Sequence, residues 1–302
     1  MASQTAAPEA AARFRIPTTD LAMIAVVTIW GLNFSVSKIG LGDFPPLPFA
    51  GIRFALAALL LLLILRWREG RALPPRESLW KLTWVGVVGN TLYQVCFMYG
   101  LSLTSAANAS LLIATTPALV AFAGAVLGIE PLRRNVVGGI ALALAGVTLV
   151  LLSQGLELGG HSLVGDVLLL GCAIAWTVYT LGVRSIGAGL SPLAITTWTM
   201  VTGAPGLLLA SIPQLLTMDW AGVGVTGWAA LAYSTVFAIV LAYVLWNNSV
   251  RVAGSTRTAI YGCAIPLCAT LFAWPLLGEQ PTWLQGAGAV LIVGGVLLSR
   301  RR

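Results

Sequence analysis

Asn90, Tyr93, Gln94 and Phe97 fall at i, i+3, i+4 and i+7, so they share one face of a helix. Three of these four carry hydrogen-bonding groups, yet the surrounding stretch NTLYQVCFMYG, which also holds Tyr99, is otherwise apolar. Similar faces recur along the chain. Trp30, Asn33 and Ser37 take i, i+3 and i+7; Asn108 precedes Thr115, Thr116 and Pro117; Trp176 goes with Tyr179, Tyr243 with Trp246, and Thr258 with Tyr261. In hydrocarbon an unpaired amide costs on the order of a kcal/mol or more, so these groups must turn to the interior of a bundle. There they can tie helix to helix, or line a chamber suited to a small solute with an apolar body and a polar end. On the second reading the candidate solute-binding residues are Trp30, Asn33, Asn90, Tyr93, Gln94, Tyr99, Asn108, Trp176, Tyr179, Tyr243, Trp246 and Tyr261.

The composition says what holds those faces. Of 302 residues, 58% are hydrophobic and 9% charged, whereas soluble domains run nearer a quarter charged. This is the composition of a polytopic, all-α integral membrane protein. Counting stretches of about 20 apolar residues gives ten transmembrane helices, at about 20–39, 47–67, 79–101, 104–127, 135–153, 162–185, 191–213, 226–247, 254–277 and 282–299. The polar residues 1–19 form a tail. No small-residue cleavage site closes the first span, so it reads as a helix and not a signal peptide.

A net charge of +7 could suggest nucleic acid, but the basic residues follow membrane topology instead. Arg13, Arg15, Arg66, Arg68, Arg71, Arg76, Lys81, Arg133, Arg134, Arg184, Arg251 and the terminal arginines all fall on one side of the ten spans. The opposite loops hold Asp43, Glu157, Asp219 and Glu279. By the positive-inside rule both termini are cytoplasmic.

Much chemistry is excluded. Every acidic residue falls in a loop or at a span end, Asp20 and Asp166 lying closest to the interior. There is no mid-span carboxylate to carry a proton or hold a cationic solute. GVGVTG at 222–227 has the glycine spacing of a dinucleotide loop but follows no strand, and no P-loop appears. Cys96, Cys172, Cys263 and Cys268 lack metal or redox spacing and read as buried small hydrophobes; His161 has no evident partner. No metal, cofactor or enzymatic chemistry is expected. Lys38 and Arg53 are embedded cations that could snorkel, pair with Asp43, or meet a solute carboxylate.

The chain also repeats itself. At an offset of 149 residues Pro117 meets Pro266, Glu130 meets Glu279, Gly139 meets Gly288 and Gly146 meets Gly295; Trp30 echoes Trp176 at 146. Residues 20–153 and 162–299 are thus read as two five-helix repeats, and five being odd, the second is inverted in the membrane. Inverted repeats with a site near the midplane are the architecture of secondary transporters. The paired Pro117 and Pro266 read as hinges, or as inherited packing kinks, because a mid-span proline removes a backbone hydrogen bond.

Five-plus-five spans, a Trp in the first span of each half and the stretch IPLCATLFAWPLLGEQP resemble the EamA-type branch of the drug/metabolite transporter superfamily. Within it the chain is most similar to the YddG-type amino-acid exporters. The resemblance implies an inner-membrane transporter exporting small neutral or zwitterionic metabolites, amino acids including aromatic ones, with membrane lipid as its surroundings. A monomer would suffice, since one chain holds both halves. A carrier of another metabolite class (nucleobase or sugar derivative) and a non-transporting membrane scaffold remain open at this stage.

Overall fold

The computed structural model describes residues 18–70, 73–103, 106–152, 161–186, 189–278 and 282–300. The tail expected over 1–19 lies outside the described residues as far as position 17. Helices and short turns make up the rest. Long uninterrupted helices are α1 (Thr18–Asp43), α2 (Pro46–Glu69), α7 (Arg134–Leu152), α8 (His161–Ser185), α9 (Pro192–Thr217) and α14 (Trp283–Arg300). Two of them open on proline, where the missing N–H costs nothing and φ is already helical. Ser191 caps α9, its hydroxyl accepting from the Ala194 N–H at 2.9 Å.

The other apolar stretches are interrupted, and the interruptions correspond between halves. The stretch expected as one helix over 79–101 is α3 (Arg76–Gly86), a π-helical segment at Val87–Leu92, and α4 (Tyr93–Leu103). Its later counterpart is α10 (Val225–Tyr233), a π-helical segment at Ser234–Leu241, and α11 (Ala242–Ala253). The stretch expected over 104–127 breaks into α5 (Ala106–Ile113) and α6 (Thr116–Val126). The one over 254–277 breaks into α12 (Ser255–Tyr261), a 3₁₀ turn at Gly262–Ala264, and α13 (Ile265–Leu277). Pro117 and Pro266 therefore do not kink a helix from within, as the sequence suggested. Each sits in the first turn of a new helix, and the break precedes it. A proline ring clashes with the preceding turn but not with an empty one.

Among the described residues six helical segments are long and apolar enough to cross a membrane. Their outer faces agree: Leu59 and Leu63 of α2, Leu163, Val167 and Ile174 of α8, and Leu209 and Leu216 of α9 are exposed, at helical spacing. An exterior this apolar suits hydrocarbon and not water. The interior is held by close backbone approach where glycine permits it. A methyl on Gly146 of α7 would lie 2.5 Å from the Gly288 carbonyl oxygen of α14, and one on Gly295 would lie 2.5 Å from that of Gly139. The two contacts are reciprocal under the 149-residue offset, as expected of helices packed about a local two-fold axis.

Candidate functional site

A cavity of about 730 Å³, part of it continuous with solvent, opens between the two sequence halves. From the first half it takes Trp30, Asn33 and Phe34 of α1, Arg53 of α2, Tyr93, Gln94 and Phe97 of α4, and Ile113, Thr116 and Pro117 at the α5/α6 break. The second half supplies Trp176 of α8, Tyr243 and Trp246 of α11, and Gly262 and Ile265 at the α12/α13 break. Four lining positions of the first half have a lining counterpart 149 residues on: Gln94 with Tyr243, Phe97 with Trp246, Ile113 with Gly262, and Thr116 with Ile265. Both helix breaks meet the chamber, as do both elements that follow a π-helical segment. Local irregularity of this kind is tolerated at membrane depth where it faces a cavity, and π-segments recur at functional sites.

The wall is a mesh of rings. Trp176 lies 5.4 Å from Trp30, 5.2 Å from Tyr93 and 5.3 Å from Tyr243 between centroids. Trp30 lies 5.1 Å from Trp246, and Tyr93 stacks on Phe97 at 5.7 Å. Trp30 is held by its indole N–H donating to the Ala238 carbonyl at 2.8 Å, and Asn33 by accepting from the Ser234 hydroxyl at 2.7 Å. No carboxylate lines the cavity among the described residues. Among the described residues its only charged lining residue is Arg53, 2% exposed, whose Nη2 donates to Gln94 Oε1 at 2.6 Å.

Of the residues singled out from sequence, Trp30, Asn33, Tyr93, Gln94, Trp176, Tyr243 and Trp246 come together here, with Pro117 beside them. Asn90, Tyr99, Tyr179, Tyr261 and Pro266 are not in the lining. Asn90 donates instead to the Thr199 carbonyl at 2.8 Å, joining its segment to α9. Asn90 lies within the π-helical segment, whose wider turn shifts it relative to the face it would share with Tyr93 and Gln94 in an unbroken α-helix. Tyr99 accepts from Gln214 Nε2 at 3.3 Å, and Tyr179 accepts from Asn247 Nδ2 at 2.8 Å behind the stacked ring of Trp176. The Asn108 side chain lies outside the described residues. Phe34, Phe97, Ile113, Gly262 and Ile265 belong to the lining but were not among the candidate residues, and Arg53 reads from sequence only as an embedded cation that could meet a solute carboxylate. Phe97, fourth member of the opening stripe, and the 149-residue counterparts of Gln94 and Phe97 were the available signals.

Polar contacts join the helices at one end of the bundle. Glu130, in the turn after α6, accepts from the Ser255 N–H at 2.6 Å, the Ser255 hydroxyl and the Thr256 N–H at 3.0 Å, capping α12; Arg184 lies 3.8 Å away. Burial alone would push the Glu130 carboxyl up, but the hydrogen bonds from Ser255 and Thr256 outweigh it and hold the group below its ordinary 4.5. Gly254, at φ +94°, makes the sharp turn that presents those N–H groups. Nearby, Asp20 is only 2% exposed, and accepts from the Tyr261 hydroxyl at 2.7 Å and from Arg257 at 3.3 Å. Asp20 does stand at a span end, as read from sequence, but buried within the bundle.

The sequence matches the EamA-like transporter family twice, over residues 17–152 and 163–301. The chain belongs to that family. This EamA-like transporter is 30% identical to an uncharacterized transporter of Archaeoglobus fulgidus, across 93% of the present chain and 96% of that protein. It is 29% identical to a probable amino-acid metabolite efflux pump of Salmonella typhimurium, over 91% of this chain and 92% of the relative. A crystal structure sharing 20% identity superposes with a TM-score of 0.76, covering 94% of this EamA-like chain and 97% of the other, which supports the fold alone.

Proposed function

We propose that this transporter exports small neutral or zwitterionic metabolites, chiefly amino acids with aromatic or bulky apolar side chains, by alternating access. In this reading ten spans form two inverted five-helix repeats, residues 20–153 and 162–299, in an inner (plasma) membrane with both termini cytoplasmic; a single chain suffices. The observation that carries it is the ring-lined cavity between the halves, walled at 149-residue-related positions. The rings can stack on an apolar side chain, and the absence of a lining carboxylate among the described residues disfavours cationic drugs. The efflux-pump relative supports an amino-acid cargo. Sidedness is supported by the gathering of Glu69 with Ser191, Arg184 with Arg251, and Glu130 with Ser255 at one end; that end is the cytoplasmic one. The helix breaks before Pro117 and Pro266 are the hinges about which each half rocks.

The test is flux in proteoliposomes. Labelled phenylalanine should cross vesicles containing the transporter and be competed by other bulky amino acids more than by nucleobases or sugars. Tyr93→Ala should lower that flux by about tenfold, the worth of one or two ring contacts. Vesicles that carry no phenylalanine or related amino acid above the protein-free background would remove the proposal.

A further inference from the structure

Arg53 is a buried cation with no carboxylate partner among the described residues. Neither of the ion pairs among the described residues includes it, and no Asp or Glu shares the cavity that it lines. Its Nη2 meets a single neutral oxygen, Gln94 Oε1, with the Met98 sulfur 3.9 Å away. The Nε has no hydrogen-bond partner among the described residues. The guanidinium is instead held by faces, its carbon 5.0 Å from the ring centroid of Phe49 and 5.8 Å from that of Phe54. Ring contacts orient a guanidinium but leave its N–H edge wanting acceptors. Nε–H and Nη2–H share one edge of the group and match the two oxygens of a carboxylate. Burying a cation this deeply without an anion is costly, and the arrangement is intelligible if the anion arrives with the cargo.

We infer that Arg53 is the carboxylate-binding residue of this site, that the carboxylate is the head group it reads, and that an α-ammonium is dispensable. The inference rests on the proposed transport reading for its cargo, and names the part of the cargo that is recognised. A carboxylate displaces Gln94 Oε1 and takes both N–H groups of the free edge, while the apolar body lies among Trp30, Tyr93, Trp176 and Tyr243. The ammonium meets no acid in the lining among the described residues: only neutral oxygens remain for it, Asn33 Oδ1, which already accepts from Ser234, and the displaced Gln94 Oε1. Ring faces can tolerate an ammonium on a zwitterion, but a solute that is only cationic faces Arg53 uncompensated. Apolar monocarboxylates without an amino group therefore belong to the ligand range, and amines and carboxamides do not.

Calorimetric titration of the full chain in lipid nanodiscs with four phenyl ligands tests this. Phenylalanine and 3-phenylpropanoate should bind within about tenfold of each other, and phenylalaninamide and phenethylamine weaker by about 30-fold or more, as for truncating one partner of a buried charge pair. Arg53→Gln should abolish that preference, and Arg53→Lys, which keeps the charge and loses the fork, should leave part of it. If Arg53→Gln does not fold, the wild-type series and Arg53→Lys decide alone. Equal binding of phenylalanine and phenylalaninamide, no binding by either carboxylate, or a preference that survives in a folded Arg53→Gln each overturns the assignment. Flux is read separately: binding of the carboxylates without flux removes the transport reading and leaves Arg53 its ligand, while flux without head-group preference does the reverse.

Discussion

Replacing Glu130 with glutamine should loosen the polar tie at the end of the bundle that holds Ser255 and Thr256, without touching the cavity. The carboxylate accepts two bonds from the chain's own N–H groups and one from a hydroxyl, all on Ser255 and Thr256. Hydrogen bonds to a charged group contribute about 1.5–3 kcal/mol each, and loss of a helix cap alone costs about 1 kcal/mol. Glutamine retains one acceptor oxygen, so the net loss is roughly 1.5–3 kcal/mol, a factor of about 10 to 150 in local opening. The Arg184–Glu130 ion pair contributes little, under about 1 kcal/mol, since Arg184 stands 3.8 Å off with its side chain 38% exposed; Arg184→Met, which also removes its bond to the Arg251 carbonyl, should therefore open the Ser255 and Thr256 amides less than Glu130→Gln. Amide hydrogen exchange reads this directly, because the Ser255 and Thr256 N–H groups open α12 and have Glu130 as their acceptor. In Glu130→Gln those amides should exchange about 10 to 150 times faster while those within α13 keep their protection. Unchanged exchange at both, or a larger effect from Arg184→Met, would refute the reasoning. The pH sign follows. The folded carboxyl lies below its ordinary 4.5, so its stabilisation is complete above that value and is lost as pH falls through the lowered one. Protection, corrected for intrinsic exchange, should be flat from neutral pH down to about 4.5 and then fall.

Three further outcomes are expected. Gly146→Ala and Gly295→Ala force a methyl against backbone 2.5 Å away and should each cost about 1–3 kcal/mol in thermal stability, whereas Gly286→Ala, open on that side, should stabilise by about 0.5–1 kcal/mol. Asn90→Ala should lower stability by about 1 kcal/mol and leave the ranking of ligands unchanged, because its bond runs to Thr199 and away from the cavity; a changed ranking would put it back in the site. With no acid in the lining among the described residues, a pH gradient alone should not concentrate phenylalanine in proteoliposomes, and accumulation driven by it would show proton coupling.

Periodicity made the helical class legible, because hydrocarbon demands apolar runs of near-uniform length and charges only at their ends. It failed where the backbone departs from 3.6 residues per turn. The i, i+3, i+4 count that groups Asn90 with Tyr93 and Gln94 assumes an α-helix throughout, whereas Asn90 lies within the π-helical segment at Val87–Leu92 and its amide meets α9 instead. Pro117 and Pro266 marked the right places, yet the sequence could not distinguish a bent helix from two helices meeting end to end. Tyr99, Tyr179 and Tyr261 look no different from Tyr93 and Tyr243 in sequence. What separates them is whether a partner such as Gln214, Asn247 or Asp20 waits behind the wall. Arg53 was ambiguous for the converse reason. Its lack of a carboxylate partner among the described residues depends on how all the helices pack, and no local pattern expresses it.

The repeat explains the frame of the site, and its imperfections explain what the site can choose. Positions 94, 97, 113 and 116 and their counterparts at 243, 246, 262 and 265 surround the chamber, so symmetry supplies the place, and under the proposed alternating access it would let either side open by equivalent movements. Side-chain types are not repeated. Gln94 faces Tyr243 across the axis, Ile113 answers Gly262, and the residue 149 positions after Arg53 is Thr202, which bonds its own helix and the Leu82 carbonyl of α3. A fully symmetric chamber would hold a solute equally well in two opposed orientations. One guanidinium on one half breaks that degeneracy, since a carboxylate can reach it in only one of them. Introducing a second by Tyr243→Arg, at the counterpart of Gln94, should therefore let dicarboxylates of matching length compete with phenylalanine in the folded variant, and their continued exclusion would count against an orienting role for Arg53.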